Sequence, residues 1–468
     1  MYHKTRYTEQ QIENAVDELL SKMTLKEKIG QLHQVGPSPV GAFDIPDEDL
    51  KKMIATGQIT QEEYELSKTK KVLDRNFQNV KDGNIGSYLA LSEPDRINKM
   101  QKIAAEQSRL HIPLLIGCDV IHGFNTVFPI PLAESCSFDD ELFFDTARVS
   151  AKEARAAGIN WTFTPMLDIS RDARWGRIAE SMGQDTYLAC RYAKQKVDGL
   201  QNGDLADSGS IAACAKHYLA YGACEGGKDY NSVDISYEKL FDVYLPPFES
   251  AVNAGVASVM ASFNDINGVP VAANRFMLTD VLKDRLGFGG VVVSDAGEIW
   301  QNVTHGYSKD DITAGRDALH AGVDIDMTSS IYTRHLEGLI AKGEISEDEL
   351  DESVKRVLRL KFALGLFDNP YSDAERLKEL SCSKEHLDLA KKAALHSTVL
   401  LKNNGILPID KSKYKNIYLI GALGGKIREC YGCWAFYGKD EYVTTLSAAL
   451  EKENVKYLPC YDVNGEID

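Results

Sequence analysis

The sequence predicts an α/β fold, namely a (β/α)8 TIM-like barrel followed by the beginning of an α/β sandwich domain, and three observations carry that reading. Eight apolar runs of strand length recur between Gln31 and Thr328. Amphipathic helical stretches separate them. A further strand, helix and strand then open before Asp468. Near-continuous apolar runs are what strands buried on both faces require, and the intervening helices supply the crossovers that parallel pairing needs. Eight such units point to a closed barrel. A doubly wound open sheet has the same periodicity and stays as the alternative.

The elements follow in order. Thr8 with Gln11 reads as a capping box, and Ile12, Ala15, Val16, Leu19 and Leu20 then recur at helical spacing. The strand-like runs are QLHQV from Gln31, IGSYLAL from Ile85, PLLIGCDV from Pro113 and WTFTPMLDI from Trp161. They continue with IAACAKHYL from Ile211, VASVMASF from Val256, GVVVSDA from Gly290 and GVDIDMT from Gly322. The polar, Lys-rich stretch from Pro37 to Asp82 is expected to form a helical excursion after the first strand. In ELDESVKRVLRLKFALGLF, Val354, Val357, Leu358 and Phe362 share one helical face, and Asn369-Pro370 ends the helix.

The barrel is therefore bounded at 1–370, with a linker over 371–395 and a partial α/β sandwich domain over 396–468. The helical run LDLAKKAALHSTVLL leads into it, followed by NIYLIGAL, TTLSAALEKE and KYLPCYDV. A normal sheet has about 5–6 strands, so a chain ending at Asp468 is expected to be cut short within this second domain. No internal repeat and no low-complexity tract interrupts the pattern.

A formal charge of −16 repels phosphate backbones and anionic lipid, which argues against nucleic-acid and membrane partners and for a small neutral substrate. The N-terminal residues lack the apolar core of a signal peptide, so a cytoplasmic location is expected. Nine scattered cysteines fit reduced thiols better than a disulfide framework. Cys430 and Cys433 form a CxxC with no second ligand pair nearby, which reads as a loop and not as a zinc site. No metal motif is present and no cofactor is expected. His122 reads as a satisfied core histidine.

In a barrel of this type reactive groups gather at the C-terminal strand ends. Asp119 ends the third run, Asp168 the fourth, Lys216 and His217 the fifth, Phe263 and Asn264 the sixth, and Asp295 the seventh. A lone Asp after a strand is commonly a helix N-cap, but five strand ends converge on one rim. Two chemistries fit. In one, a carboxylate attacks an anomeric carbon while charged side chains hold sugar hydroxyls. In the other, Lys216 forms a Schiff base with a carbonyl substrate.

The segments GCDVIHGFNTVFP (117–129), DISRDARWGRIAESMGQDTYL (168–188), KHYLAYGACEGGKDYNSVDIS (216–236) and GFGGVVVSDAGEI (287–299) resemble the signature blocks of bacterial β-glucosidases of glycoside hydrolase family 3. The likeness runs from Met23 to Pro408 and continues more weakly to the end. It implies a retaining β-glucosidase with Asp295 as the nucleophile, and Asp119, Arg177, Lys216 and His217 holding the sugar hydroxyls. Met260 and Phe263 on the sixth strand are assigned to the same substrate pocket. Lys216 and Arg177 are expected to favour the charged form of Asp295, opposing burial. The Schiff-base reading recedes. A β-xylosidase of the same family and a sugar-binding chain without turnover remain as alternatives.

Three departures from the family pattern stand out. Ala296 follows the nucleophile where many relatives have Trp, and position 263 is Phe where Tyr is common. The third concerns the acid/base, which in two-domain members is a Glu of the second domain, so no residue of this chain is assigned to it. Tyr221 stands where single-domain N-acetylglucosaminidases of the family place a catalytic His, which disfavours that branch. Asp229 and Tyr230 read as a solvated loop, and Trp434 as either packing or a platform for the aglycone sugar. Exposed apolar surface on a half-built second domain leaves homodimerisation open.

Overall fold

The computed structural model describes residues 7–36 and 72–460, with isolated positions 51, 54, 60, 61, 64 and 65 between them. Most of the excursion expected over 37–82 lies outside the described residues.

The chain opens with α1 (Glu9–Lys22), where Thr8 and Gln11 form the reciprocal capping box and Ile12, Val16 and Leu20 are buried. Helix α2 (Leu25–Gln31) carries a second box, Thr24 with Glu27, and feeds the first strand. The described end of the Lys-rich segment is helix α3 (Val72–Lys81).

Eight parallel strands occupy the eight apolar runs: β1 (His33–Val35), β2 (Ser87–Leu89), β3 (Leu115–Cys118) and β4 (Trp161–Thr162), then β5 (Cys214–Tyr218), β6 (Ser258–Ala261), β7 (Val291–Val293) and β8 (Asp326–Met327). Hydrogen-bonded order runs β8-β1-β2-β3-β4 in one arc and β5-β6-β7 in the other. Parallel bridges Trp161 to Ala212 and Met166 to Lys216 join β4 to β5, and Val293 to Ile325 joins β7 to β8. The sheet is closed, and the open-sheet alternative is excluded. Strand β4 is shorter than its apolar run because Pro165 has no N–H to offer the ladder.

Helices cover the barrel, the best packed pair being α4 (Asp140–Ala157) and α5 (Thr186–Gln201). Helices α6 (Asp311–Ala321) and α7 (Ile331–Ala341) flank β8. In α8 (Glu347–Ala363), Val354, Val357 and Leu358 are buried as the periodicity requires. Phe362 is only half-buried and instead stacks on Phe367, with ring centroids 3.9 Å apart.

Helix α9 (Lys384–His396) follows, ending earlier than the expected run to Leu401. Thr398 and Val399 are β-branched and the apolar side chains there find no core, since Leu401 is 91% exposed. The helix is tied to the barrel by Glu153 of α4, whose Oε1 lies 2.7 Å from His386 Nδ1 and whose Oε2 accepts the Thr126 N–H at 2.8 Å. Beyond it, β9 (Ile417–Ile420) pairs in parallel with β10 (Val455–Leu458), and α10 (Leu446–Glu451) packs on β10. Ile420, Leu423, Leu446 and Leu458 are exposed there.

Candidate active site

Asp119 directly follows β3 and Lys216 lies near the end of β5. Lys216 Nζ donates to Asp119 Oδ1 at 2.9 Å, with the lysine buried and the carboxylate 15% exposed at the mouth. The pair has a fixed direction because Lys216 comes from inside the barrel wall. One Asp119 oxygen is engaged, and the group still faces solvent.

Asp295 stands two residues beyond β7 on the same rim. Its backbone N–H donates to Glu298 Oε2 at 2.9 Å, and its Oδ1 accepts the Ala296 N–H at 2.7 Å. Its Oδ2 holds no hydrogen bond. The carboxylate is thus anchored by one oxygen while the other is buried and faces His217, 3.4 Å from its Nε2. Burial raises the Asp295 carboxyl above its ordinary value, and Arg177 and Lys216 oppose this only in part. The two cations favour the charged form as expected, but burial removes more hydration than they return.

The Arg177 guanidinium lies between Asp295 and a partner that the motif reading missed. Its Nε and Nη2 donate to the two oxygens of Glu180 at 2.8 and 3.0 Å, a bidentate fork. Burial raises Glu180, but Arg177 outweighs it and leaves the carboxyl below its usual range. The i,i+3 spacing in RIAE was the available signal, and a surface pair was its ordinary meaning.

His217 is wholly buried, with Nδ1 at 2.8 Å from Asp168 Oδ2, which also receives the His217 backbone N–H at 2.9 Å. The loop after β5 lies against the loop after β4 so closely that a Cβ on Gly222 would sit 2.4 Å from the Ile169 carbonyl oxygen. Only glycine fits there, and the approach holds Asp168 and His217 together.

Aromatic rings wall the pocket. Phe263 is buried at the end of β6, 4.6 Å from Tyr230 and 5.8 Å from Tyr221 between ring centroids. Met260 on β6 is buried and pairs with Val293, two residues before Asp295. The loop expected to be solvated is exposed at Asp229 and Tyr230, yet it packs inward: Trp175 Nε1 donates to Asp229 at 3.2 Å. Tyr221 is buried, with its hydroxyl toward Asp229.

The loop after β9 crosses to the barrel and closes one side. Trp434 lies over Lys216, 5.3 Å from its Nζ, and hydrogen-bonds to Glu180. Tyr437 Oη is 2.8 Å from Cys118 Sγ, and its ring is 4.7 Å from Phe124. His122 is buried, with Nδ1 2.7 Å from the Phe128 carbonyl oxygen and Nε2 against that of Cys433, so the single N–H of a neutral ring serves one of the two. Cys430 and Cys433 are free thiols in this loop, and no cluster of metal-ligating side chains occurs among the described residues.

A closed (β/α)8 barrel thus gathers the Asp295 carboxylate, a Lys–Asp pair and an Arg–Glu fork against aromatic walls at its mouth. Comparison with known proteins gives the class. A family model described as "Glycosyl hydrolase family 3 N terminal domain" matches residues 24–360, and the chain belongs to glycoside hydrolase family 3.

It is 38% identical to a "Periplasmic beta-glucosidase" of Salmonella typhimurium, covering 93% of this chain and 54% of that protein. A "Putative beta-xylosidase" of Formosa agariphila is 35% identical, over 88% of this chain and 54% of that one. The structure of the β-glucosidase from Listeria innocua in complex with isofagomine matches with a TM-score of 0.84 and 36% identity, over 96% of this chain and 60% of that chain. The chain thus spans little more than half the length of these relatives. The periplasmic name weighs against the cytoplasmic expectation, while no helix among the described residues is long and apolar enough to cross a membrane.

Proposed function

We propose that this barrel carries out the retaining hydrolysis of terminal non-reducing β-D-glucosyl residues through a glycosyl-enzyme intermediate on Asp295. The observation that carries the reading is the Asp295 carboxylate at the rim of the barrel, held through Oδ1 by the Ala296 N–H and facing His217 through Oδ2, with Arg177 and Lys216 near enough to act on its charge. Attack of the Asp295 carboxylate on the anomeric carbon forms the glycosyl ester as the glycosidic bond breaks, the aglycone oxygen leaving with the bonding pair and taking up a proton, and water then displaces Asp295 with a second inversion. Asp119, Lys216 and Arg177 hold the hydroxyls by charge-assisted hydrogen bonds and the neutral His217 by an ordinary one, with Met260 and Phe263 against the apolar face of the ring. We assign the acid/base to no residue of this chain. The Listeria structures titled as complexes with glucose and with laminaribiose support a glucosyl ligand.

A β-xylosidase reading draws support from the Formosa relative. The test is intact mass after incubation with 2,4-dinitrophenyl 2-deoxy-2-fluoro-β-glucoside and with its xyloside analogue, followed by peptide mapping. These reagents need no acid catalyst. Labelling of Asp295 by the glucoside supports the proposal, labelling by the xyloside alone moves it to xylosides, and saturable binding without a label leaves a sugar-binding chain.

The division into a barrel (1–370), a linker (371–395) and a partial sandwich (396–468) belongs to the same proposal, with limited proteolysis as its test. Nine free thiols support a reducing compartment, and fractionation weighs this against export. The exposed Ile420, Leu423, Leu446 and Leu458 support self-association, against which a monomer in light scattering would count.

A further inference from the structure

His217 stands between two carboxylates brought to it by different strands. Asp168, beyond β4, has Oδ2 at 2.8 Å from Nδ1, and Asp295, beyond β7, has Oδ2 at 3.4 Å from Nε2. Asp168 and His217 are shut off from solvent, and Asp168 Oδ1, His217 Nε2 and Asp295 Oδ2 all lack a hydrogen-bond partner. A neutral imidazole carries a single N–H, so its two contacts cannot be alike. With Asp168 ionised, Nδ1 donates to it and Nε2 meets Asp295 as a lone pair. With Asp168 protonated, Nδ1 accepts and the ring turns an N–H toward Asp295.

We propose that Asp168 is a positioning residue that sets the polarity of His217, turning a lone pair toward Asp295 when ionised and an N–H toward Asp295 when protonated. The inference rests on the reading of Asp295 as nucleophile. The proton balance is simple. A proton reaching Nε2 by way of Asp295 binds there, the Nδ1 proton crosses to Asp168 Oδ2, and the pair gains one proton while the ring ends uncharged. With its lone pair toward Asp295, Nε2 leaves the carboxylate its full charge. As donor, it draws charge from Asp295 and blunts its attack.

The surrounding charges favour this route over an imidazolium. Burial, then Arg177 and Lys216, hold His217 well below its ordinary value. Burial pushes Asp168 up to about 7, against the His217 backbone N–H and Arg177. The groups facing the pair are Lys216 with Asp119 from β5 and β3, Arg177 with Glu180 from the loop after β4, and Asp295 from β7. The Tyr221 ring lies edge-on to His217 at 5.3 Å, and the Cys224 thiol, near Asp168, is itself pushed up to about 12 by burial. The exchange therefore belongs to Asp168 with His217.

Nitrogen-15 NMR of the whole chain carrying labelled histidine, titrated from about pH 5 to 9, tests this, with His217→Gln identifying the signal. The expected result is a neutral ring throughout, protonated on Nδ1 at high pH and on Nε2 at low pH, exchanging near pH 7. In Asp168→Asn the amide oxygen accepts both N–H groups, so Nδ1–H persists at every pH and the inflection of kcat/KM near pH 7 disappears. An imidazolium at low pH, or one tautomer throughout in the unaltered chain, overturns the proposal. The titration of the unaltered chain decides even if the variant misfolds. The ring is read without turnover, so failure of Asp295 labelling would strike the nucleophile reading separately.

Discussion

Trp434, in the loop after β9, lies 5.3 Å over the Lys216 ammonium of β5 and hydrogen-bonds to Glu180 in the loop after β4. One side chain from outside the barrel thus touches both charged pairs of the pocket. A cation held over an indole face gains about 0.5–2 kcal/mol depending on desolvation.

Trp434→Ala should therefore raise KM for an aryl β-glucoside by roughly 3–30-fold, with a smaller effect on kcat. Steady-state kinetics check it. An unchanged KM would mean that the ring only packs.

Glu180→Gln replaces a bidentate ionic fork with one weaker contact, leaving Arg177 misdirected beside Asp295. A hydrogen bond to a charged group is worth about 1.5–3 kcal/mol, so kcat/KM should fall by roughly 10–100-fold. A loss confined to thermal stability would assign the pair to scaffolding alone.

Lys216→Met strands Asp119 without its cation. Because the lysine is buried, breaking the pair should cost about 3–5 kcal/mol of stability in urea denaturation. A cost under about 1 kcal/mol, the surface-pair range, would show that the ammonium is better hydrated than its burial implies.

Lys361 of α8 is wholly buried, and its Nζ donates to Gln31 Oε1 at 2.6 Å and to the Gly86 carbonyl oxygen at 2.8 Å. Burial lowers its pKa to about 7 from 10.5. Between these values the unfolded chain holds the proton and the folded one does not, so stability rises with pH across that window and the penalty is complete below it. Lys361→Met should remove a slope amounting to a few kcal/mol. Denaturation midpoints at pH 7 and 9.5 that rise equally in both proteins would refute this.

Much of the barrel was legible in the chain, since each β-strand must be apolar on both faces when helices cover it and the barrel interior is filled. Hence runs such as VASVMASF and GVVVSDA mark β6 and β7 directly. The helical segment to Leu401 was misjudged, because helical spacing says nothing about whether a face has something to pack against. Rim residues were visible as polar side chains at strand ends, but their partners were not. Glu180 looked like one acid among many, and Asp168 stood on the rim with no sign that it would reach His217.

The sequence by itself determined the eight strands, the helices between them and the rim positions of Asp119, Lys216, His217 and Asp295, because periodicity and strand-end placement are local properties. Only the tertiary structure decided that the sheet closes, that Asp295 is anchored through Oδ1 with Oδ2 facing His217, and that Asp168 reaches His217. It also decided that burial outweighs Arg177 and Lys216 at Asp295. Those outcomes depend on distances between residues far apart in the chain and on the water their packing excludes, and neither quantity is written in local order.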